Sequence, residues 1–205
     1  MARRTKAEAA ATREALIDAA EEMFMEHGVA RTSLEQIARH AGMTRGAVYW
    51  HFKNKADLFR AMLERIRMPF EDLIREIDDP AVHDSPLSAI RLACLKGMTR
   101  LEQPRYTRVH SILLYRCEFF SDIDPIAMQE EIACDIREAL LNYFTLAEQR
   151  QELRVKPEVA AELLNTCLSG LFHDWLRKPD AYSIFKRGEV LITHLLMLMT
   201  RRQTS

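Results

Sequence analysis

At 205 residues, 48% of them hydrophobic, the chain is long enough to bury the core of one or two small domains without staples. Its 29 basic and 30 acidic side chains leave a formal net charge of -1, which excludes nucleic-acid binding by overall charge and confines any such affinity to a local patch. Cys94, Cys117, Cys134 and Cys167 are widely spaced with no histidine at ligand spacing, so neither a metal site nor a disulfide framework is indicated, and buried free thiols in a reducing compartment are expected.

The charged N-terminus lacks an apolar signal core, and no apolar run reaches the length of about 18 residues that a span needs, so a soluble cytoplasmic protein without membrane partners is expected. Residues Met1 to Lys6 form a basic arm carrying Arg3, Arg4 and Lys6. From about Ala7 to His27 an alanine-rich run with Leu16, Ile17, Ala20, Met23 and Phe24 on one face predicts a helix that Gly28 ends. Thr32 and Ser33 are good N-caps for a short helix to His40, with Leu34, Ile37, Ala38 and Ala41 at helical spacing. Gly42 permits a left-handed turn, and Thr44 caps a second short helix. In that helix Val48 and Ala47 should face inward while Arg45, Gly46, Tyr49, Trp50 and His51 remain available outside.

This pattern is a helix-turn-helix. A reading helix needs a forked donor in its first turn and little bulk beside it, which Thr44-Arg45-Gly46-Ala47 supplies. Arg45 can pair bidentately with guanine, while Thr44, Tyr49 and His51 can bond phosphates. Arg31, Arg39, Arg45, Lys53, Lys55 and Arg60 outnumber Glu35 and Asp57 over this stretch, and Asn54 caps the next helix. Spacing alone is met equally well by two ordinary packed helices joined by a glycine.

Beyond Lys55 the helical pattern continues to about Ile77, with Pro69 demanding a kink or break near Arg65 to Met68. Asp78-Asp79-Pro80 through Ser85-Pro86 reads as loop. Helices are expected from about Leu87 to Glu102, from Arg105 to Phe119, and from Ser121 or Asp122 to Gln149 with an inner stripe of Ile132, Ile136, Ala139, Leu140, Tyr143 and Phe144. Two more, about Pro157 to Arg177 and Ala181 to Thr200, are apolar on more than one side, as a core face plus a subunit interface, or else a wide internal core in a monomer, would require. No stretch alternates as a strand, so the fold class is all-α.

Thr44 to Lys55, together with Gly28-Val29-Ala30-Arg31-Thr32-Ser33-Leu34 and the opening Ala2-Arg3-Arg4-Thr5-Lys6, resembles the tetracycline-repressor (TetR) family, and within it the local repressors of multidrug efflux pumps. Arg116-Cys117-Glu118-Phe119 and Ser169-Gly170-Leu171 followed by Trp175 match more loosely. The resemblance implies a three-helix helix-turn-helix DNA-binding domain over residues 1–54 and a helical ligand-binding and dimerisation domain over 55–205. It implies a homodimer through a four-helix bundle of the last two helices, on double-stranded operator DNA, released by a hydrophobic small-molecule inducer. DNA contacts are expected from Thr32, Thr44, Arg45, Gly46, Tyr49, Trp50, His51 and Lys55, and the N-terminal arm is expected either to approach the minor groove or to be a plain tail.

The inducer residues it implies are Ile66, Arg67, His110, Leu114, Cys134, Leu168, Ser169 and His173. Some relatives carry a carboxylate where this chain has Arg65 and Arg67, a departure that favours neutral or anionic amphiphiles over cationic drugs. No cofactor, metal or catalytic residue is expected: His173-Asp174 is an adjacent base and acid without a nucleophile motif or phosphate loop. The alternative is a DNA-bound division or nucleoid factor on the same fold.

Overall fold

The computed structural model describes residues 6–119 and 122–201, and its described residues form eleven helices. They are α1 (Lys6–His27), α2 (Leu34–His40), α3 (Arg45–His51), α4 (Lys55–Glu64), α5 (Phe70–Arg75), α6 (Ala81–Asp84), α7 (Pro86–Leu101), α8 (Pro104–Tyr115), α9 (Pro125–Gln149), α10 (Pro157–Leu176) and α11 (Ile184–Met199). An isolated antiparallel bridge joins Leu153 and Thr200. No described helix is long and apolar enough to cross a membrane. The basic arm at Arg3 and Arg4 lies outside the described residues.

The chain folds as two compact units, one of residues 1–67 with 108–128 and the other of 68–107 with 129–205. Backbone proximity thus groups the chain differently from the functional division expected at 54/55. In the first unit α1 packs against α2, α3 and α4. Leu16, Ile17, Ala20 and Phe24 of α1 meet Ile37, Val48, Leu58, Phe59 and Met62 in a core with almost no solvent contact, the Phe24 and Phe59 rings 5.9 Å apart. Val109, Ile112 and Leu113 of α8 are buried in the same unit.

Local chemistry sets the short helices. Ser33 and Gln36 form a reciprocal capping box at the start of α2. Gly28 and Gly42 follow α1 and α2 at φ of 83° and 67°, the left-handed conformation that glycine adopts without strain. The expected break after α4 is present: the helical run stops at Glu64 and resumes at Phe70, behind Pro69.

In the second unit α7 packs against α5, α6 and α11, and α10 against α11. Gly188 lets α11 approach α7 so closely that a β-carbon there would stand 2.1 Å from Met98 Sδ. Five expectations differ from the structure. The 78–86 stretch is not all loop, because it holds the four-residue α6, whose Ala81 amide donates to Asp79 Oδ1. The eighth helix ends at Tyr115, short of Phe119, and the ninth begins at Pro125, where Asp124 Oδ1 accepts from the Ile126 and Ala127 amides; Ser121 lies outside the described residues. The inner stripe of α9 closes only from Ala139 onward, since Ile132 is exposed. Of the four free cysteines only Cys94 is buried, its thiol pushed up to about 12 by that burial.

Candidate nucleic-acid interface

The short α3 stands on the surface with Val48 as its buried anchor. Thr44 Oγ1 accepts from the Ala47 amide at 3.2 Å and fixes the first turn. Just inside that cap Arg45 is 74% exposed. A β-carbon added to Gly46 would meet only Thr44 Oγ1, at 3.9 Å, so the space beside Arg45 is open. Tyr49 and Trp50 are exposed, Trp50 to 72%. His51 is half-buried, with the Trp50 ring edge-on at 4.5 Å.

Arg45 and Tyr49 lie four residues apart on α3, and both reach Glu35 in the first turn of α2. The Tyr49 hydroxyl donates to Glu35 Oε1 at 2.8 Å, Arg45 Nε stands 3.3 Å from the same oxygen, and the guanidinium lies over the Tyr49 ring, 5.5 Å from its centre. The Tyr49 hydroxyl, above all, holds the Glu35 carboxyl below the ordinary carboxylate range, and that same bond raises Tyr49. Glu35 was only a counted acid in the sequence. Its partners are 10 and 14 residues away across a turn, and no periodicity marks them.

Two expected DNA contacts have other tasks. Thr32 is 1% exposed, and its hydroxyl donates to the Gly28 carbonyl at 2.8 Å, so the side chain closes the turn between α1 and α2 and is not presented to a phosphate. Lys55 points inward to the same turn. Its Nζ donates to the carbonyls of Val29, Ala30 and Thr32 at 2.6, 3.1 and 2.9 Å, while burial pushes its pKa down and the neighbouring Cys117 raises it. Across that turn Val29 N donates to the Arg116 carbonyl at 2.9 Å. Asn54 reaches Asp122 Oδ2 at 3.2 Å, and Arg60 the Asp122 carbonyl at 3.3 Å. Arg31, Arg39 and Lys53 remain exposed.

The residues implied for an inducer fall in both units, four in each. In the first, Ile66 is buried, Arg67 is exposed beside Glu64, Leu114 is half-buried, and His110 is 7% exposed with its pKa lowered to about 4 by burial. In the second, Cys134, Leu168 and Ser169 are half-buried, and the exposed His173 places Nδ1 2.7 Å from the Ser169 carbonyl. His173 and Asp174 do not act as a pair: Asp174 accepts from Arg177, Tyr182 and Arg187. Arg65 is likewise not a free cation, being bound by Glu14, Asp18 and the buried Glu21 of α1 at 2.7, 2.9 and 3.1 Å.

A capped, exposed helix held behind a glycine turn by a three-helix core is the architecture of a helix-turn-helix DNA-binding protein. Comparison with known proteins narrows the class. Residues 16–62 match the model described as bacterial regulatory proteins, tetR family, and residues 85–201 match the C-terminal region of MAATS-type transcriptional repressors. The HTH-type transcriptional repressor BepR of Brucella suis biovar 1 (strain 1330) is 32% identical over 198 residues, which are 95% of this chain and 94% of that protein. The crystal structure of NalD, the secondary repressor of the MexAB-OprM multidrug efflux pump in Pseudomonas aeruginosa, is similar with a TM-score of 0.82 and 37% identity over 96% of this chain and 100% of that one. SmeT, the repressor of the Stenotrophomonas maltophilia multidrug efflux pump SmeDEF, in complex with triclosan has a TM-score of 0.79 and 32% identity over 94% of this chain and 93% of its own.

The chain belongs to the TetR family of bacterial transcriptional regulators. Proteins of this family are regulators and not enzymes.

Proposed function

We propose that the protein is a cytoplasmic, dimeric repressor of a multidrug efflux pump operon, held on a pseudo-palindromic operator and released by a hydrophobic small molecule. Residues 1–54 bind DNA, and 55–205 bind the inducer and the second subunit. The observation that carries DNA reading is the presentation of Arg45 beside the open space at Gly46 at the start of an exposed helix. Thr44 and His51 fix the register on phosphates, Tyr49 supports Arg45 from below, and Trp50 offers an apolar surface to a thymine methyl. The pump operon as target is supported by likeness to NalD and SmeT, both repressors of such pumps.

Dimerisation is supported by apolar side chains left exposed on the last two helices: Val159 and Leu163 on α10, and Val190, Leu191, Met197 and Leu198 on α11. A two-fold pair sets its readers about 34 to 36 Å apart and so requires two half-sites one helical turn apart. The inducer is supported by the SmeT–triclosan complex, and Leu168, Ser169 and His173 of α10 are the residues to vary first. To release DNA, the inducer must bind the DNA-incompetent state more tightly, since equal affinity shifts nothing. Sequencing the DNA retained by the protein with and without hydrophobic compounds tests the whole reading. A pseudo-palindrome beside a pump operon, lost on addition of a compound, is expected; many scattered sites indifferent to every compound would overturn it.

A further inference from the structure

We propose that Glu35 is a positioning residue for base reading: its carboxylate holds Arg45 by Nε so that the two terminal guanidinium nitrogens are presented to a guanine edge in a set orientation. This rests on Arg45 being the base reader. An exposed arginine on a short helix has many rotamers, and each must be frozen when a bidentate base contact forms. Here the guanidinium is already placed from two directions. Glu35 Oε1 lies 3.3 Å from Nε, and the Tyr49 ring lies beneath with its centre 5.5 Å away. Tyr49 in turn steadies the carboxylate by donating to the same oxygen at 2.8 Å. Because the ion pair with Glu35 is made through Nε, it consumes no hydrogen of the two terminal nitrogens that N7 and O6 of a guanine would take.

The sign of the charge makes this more than a surface ion pair. A carboxylate on the face that must approach phosphates weakens binding to every DNA sequence, so its removal should strengthen random binding. Loss of a preset Arg45 should weaken discrimination. An ordinary exposed ion pair would change neither discrimination nor its base-pair profile.

The experiment uses the full-length protein and the duplex that the wild type selects from a randomised library, compared with a random duplex of equal length at matched salt. Thermal melts check that each variant is folded. Glu35→Gln is expected to bind random duplex about two to three times more tightly and to lower the selected-to-random ratio by about tenfold, at the base pair where Arg45→Ala also loses preference. Tyr49→Phe should lower the ratio by about threefold at that base pair. If Arg45→Ala collapses the ratio while Glu35→Gln leaves it unchanged, or alters a different base pair, the positioning role is wrong and Arg45 still reads. If Arg45→Ala itself leaves the ratio unchanged, the base reader is misassigned and the role of Glu35 falls with it.

Discussion

Gly46 and Lys55 show how differently two residues of one motif can matter. A methyl group at Gly46 meets nothing closer than 3.9 Å within the protein, and alanine is the better helix former by about 1 kcal/mol. Gly46→Ala should therefore melt no lower than the wild type yet bind operator less tightly, because the methyl occupies space the base edges need; retarded-mobility titration beside a thermal melt checks both halves. Lys55→Met makes the opposite case. It keeps most of the stem but leaves three carbonyls of the α1–α2 turn without their donor, a loss of about 1 to 3 kcal/mol in urea unfolding. After correction for unfolded protein, its selected-to-random ratio should equal that of the wild type. The lysine was legible as a cation next to a recognition helix. Its partners, 23 to 26 residues earlier, were not, because three backbone carbonyls have no signature in side-chain sequence.

His110 supplies a pH dependence. Burial lowers its pKa from an ordinary 6.5 to about 4, so between those values the unfolded chain binds a proton that the folded chain refuses. Its contribution is intact above pH 6.5 and is lost as pH falls, by about 1.4 kcal/mol per pH unit and about 3 kcal/mol in all at pH 4. Urea unfolding across pH 4 to 7 should show that slope, and His110→Gln should flatten it.

Among the elements, those that announced themselves carry their own start and stop chemistry: the Ser33–Gln36 box before α2, Thr44 before α3, Asn54 before α4, and Pro157 at the head of α10. Those misjudged fail on length or on a missing stop signal. The one-turn α6 is too short for any period to register, and Phe119 looked like a continuation of α8 because nothing in the sequence ends a helix at Tyr115. Gly188 was equally silent, being a glycine inside a helix whose reason is a neighbour 90 residues earlier. Gly188→Ala sets about 1 kcal/mol of helix propensity against displacement of the buried Met98 side chain, and overpacking of this kind costs about 1 to 3 kcal/mol. The variant should unfold at lower urea, and Met98→Ala in the same chain should recover part of the loss. Purely additive effects of the two substitutions would show that α11 and α7 are not in the contact described.

For the whole molecule, the apolar residues left on α11 carry the proposed assembly. Leu198 is 75% exposed, so Leu198→Arg should leave a single chain folded while placing an unpaired cation in the proposed interface, at a penalty of several kcal/mol. Sedimentation should then find monomers where the wild type is dimeric, with operator affinity reduced accordingly. A monomeric wild type that still recognises two half-sites would remove the interface. Sequence showed that the last two helices had more apolar surface than one core needs; which side chains were the surplus became visible only with Ile184, Gly188, Ile192, Leu196 and Met199 buried on the other face of α11.

The Arg116 carbonyl that accepts from Val29, and Asp122 that meets Asn54 and Arg60, have a consequence for anyone who would exchange reading heads between relatives. A graft cut after Arg67 would import the reading helix but pair it with a foreign 108–128 segment, which belongs to the same compact unit. Transplanting specificity therefore calls for two stretches of chain, inherited together and separated by 40 residues that belong elsewhere.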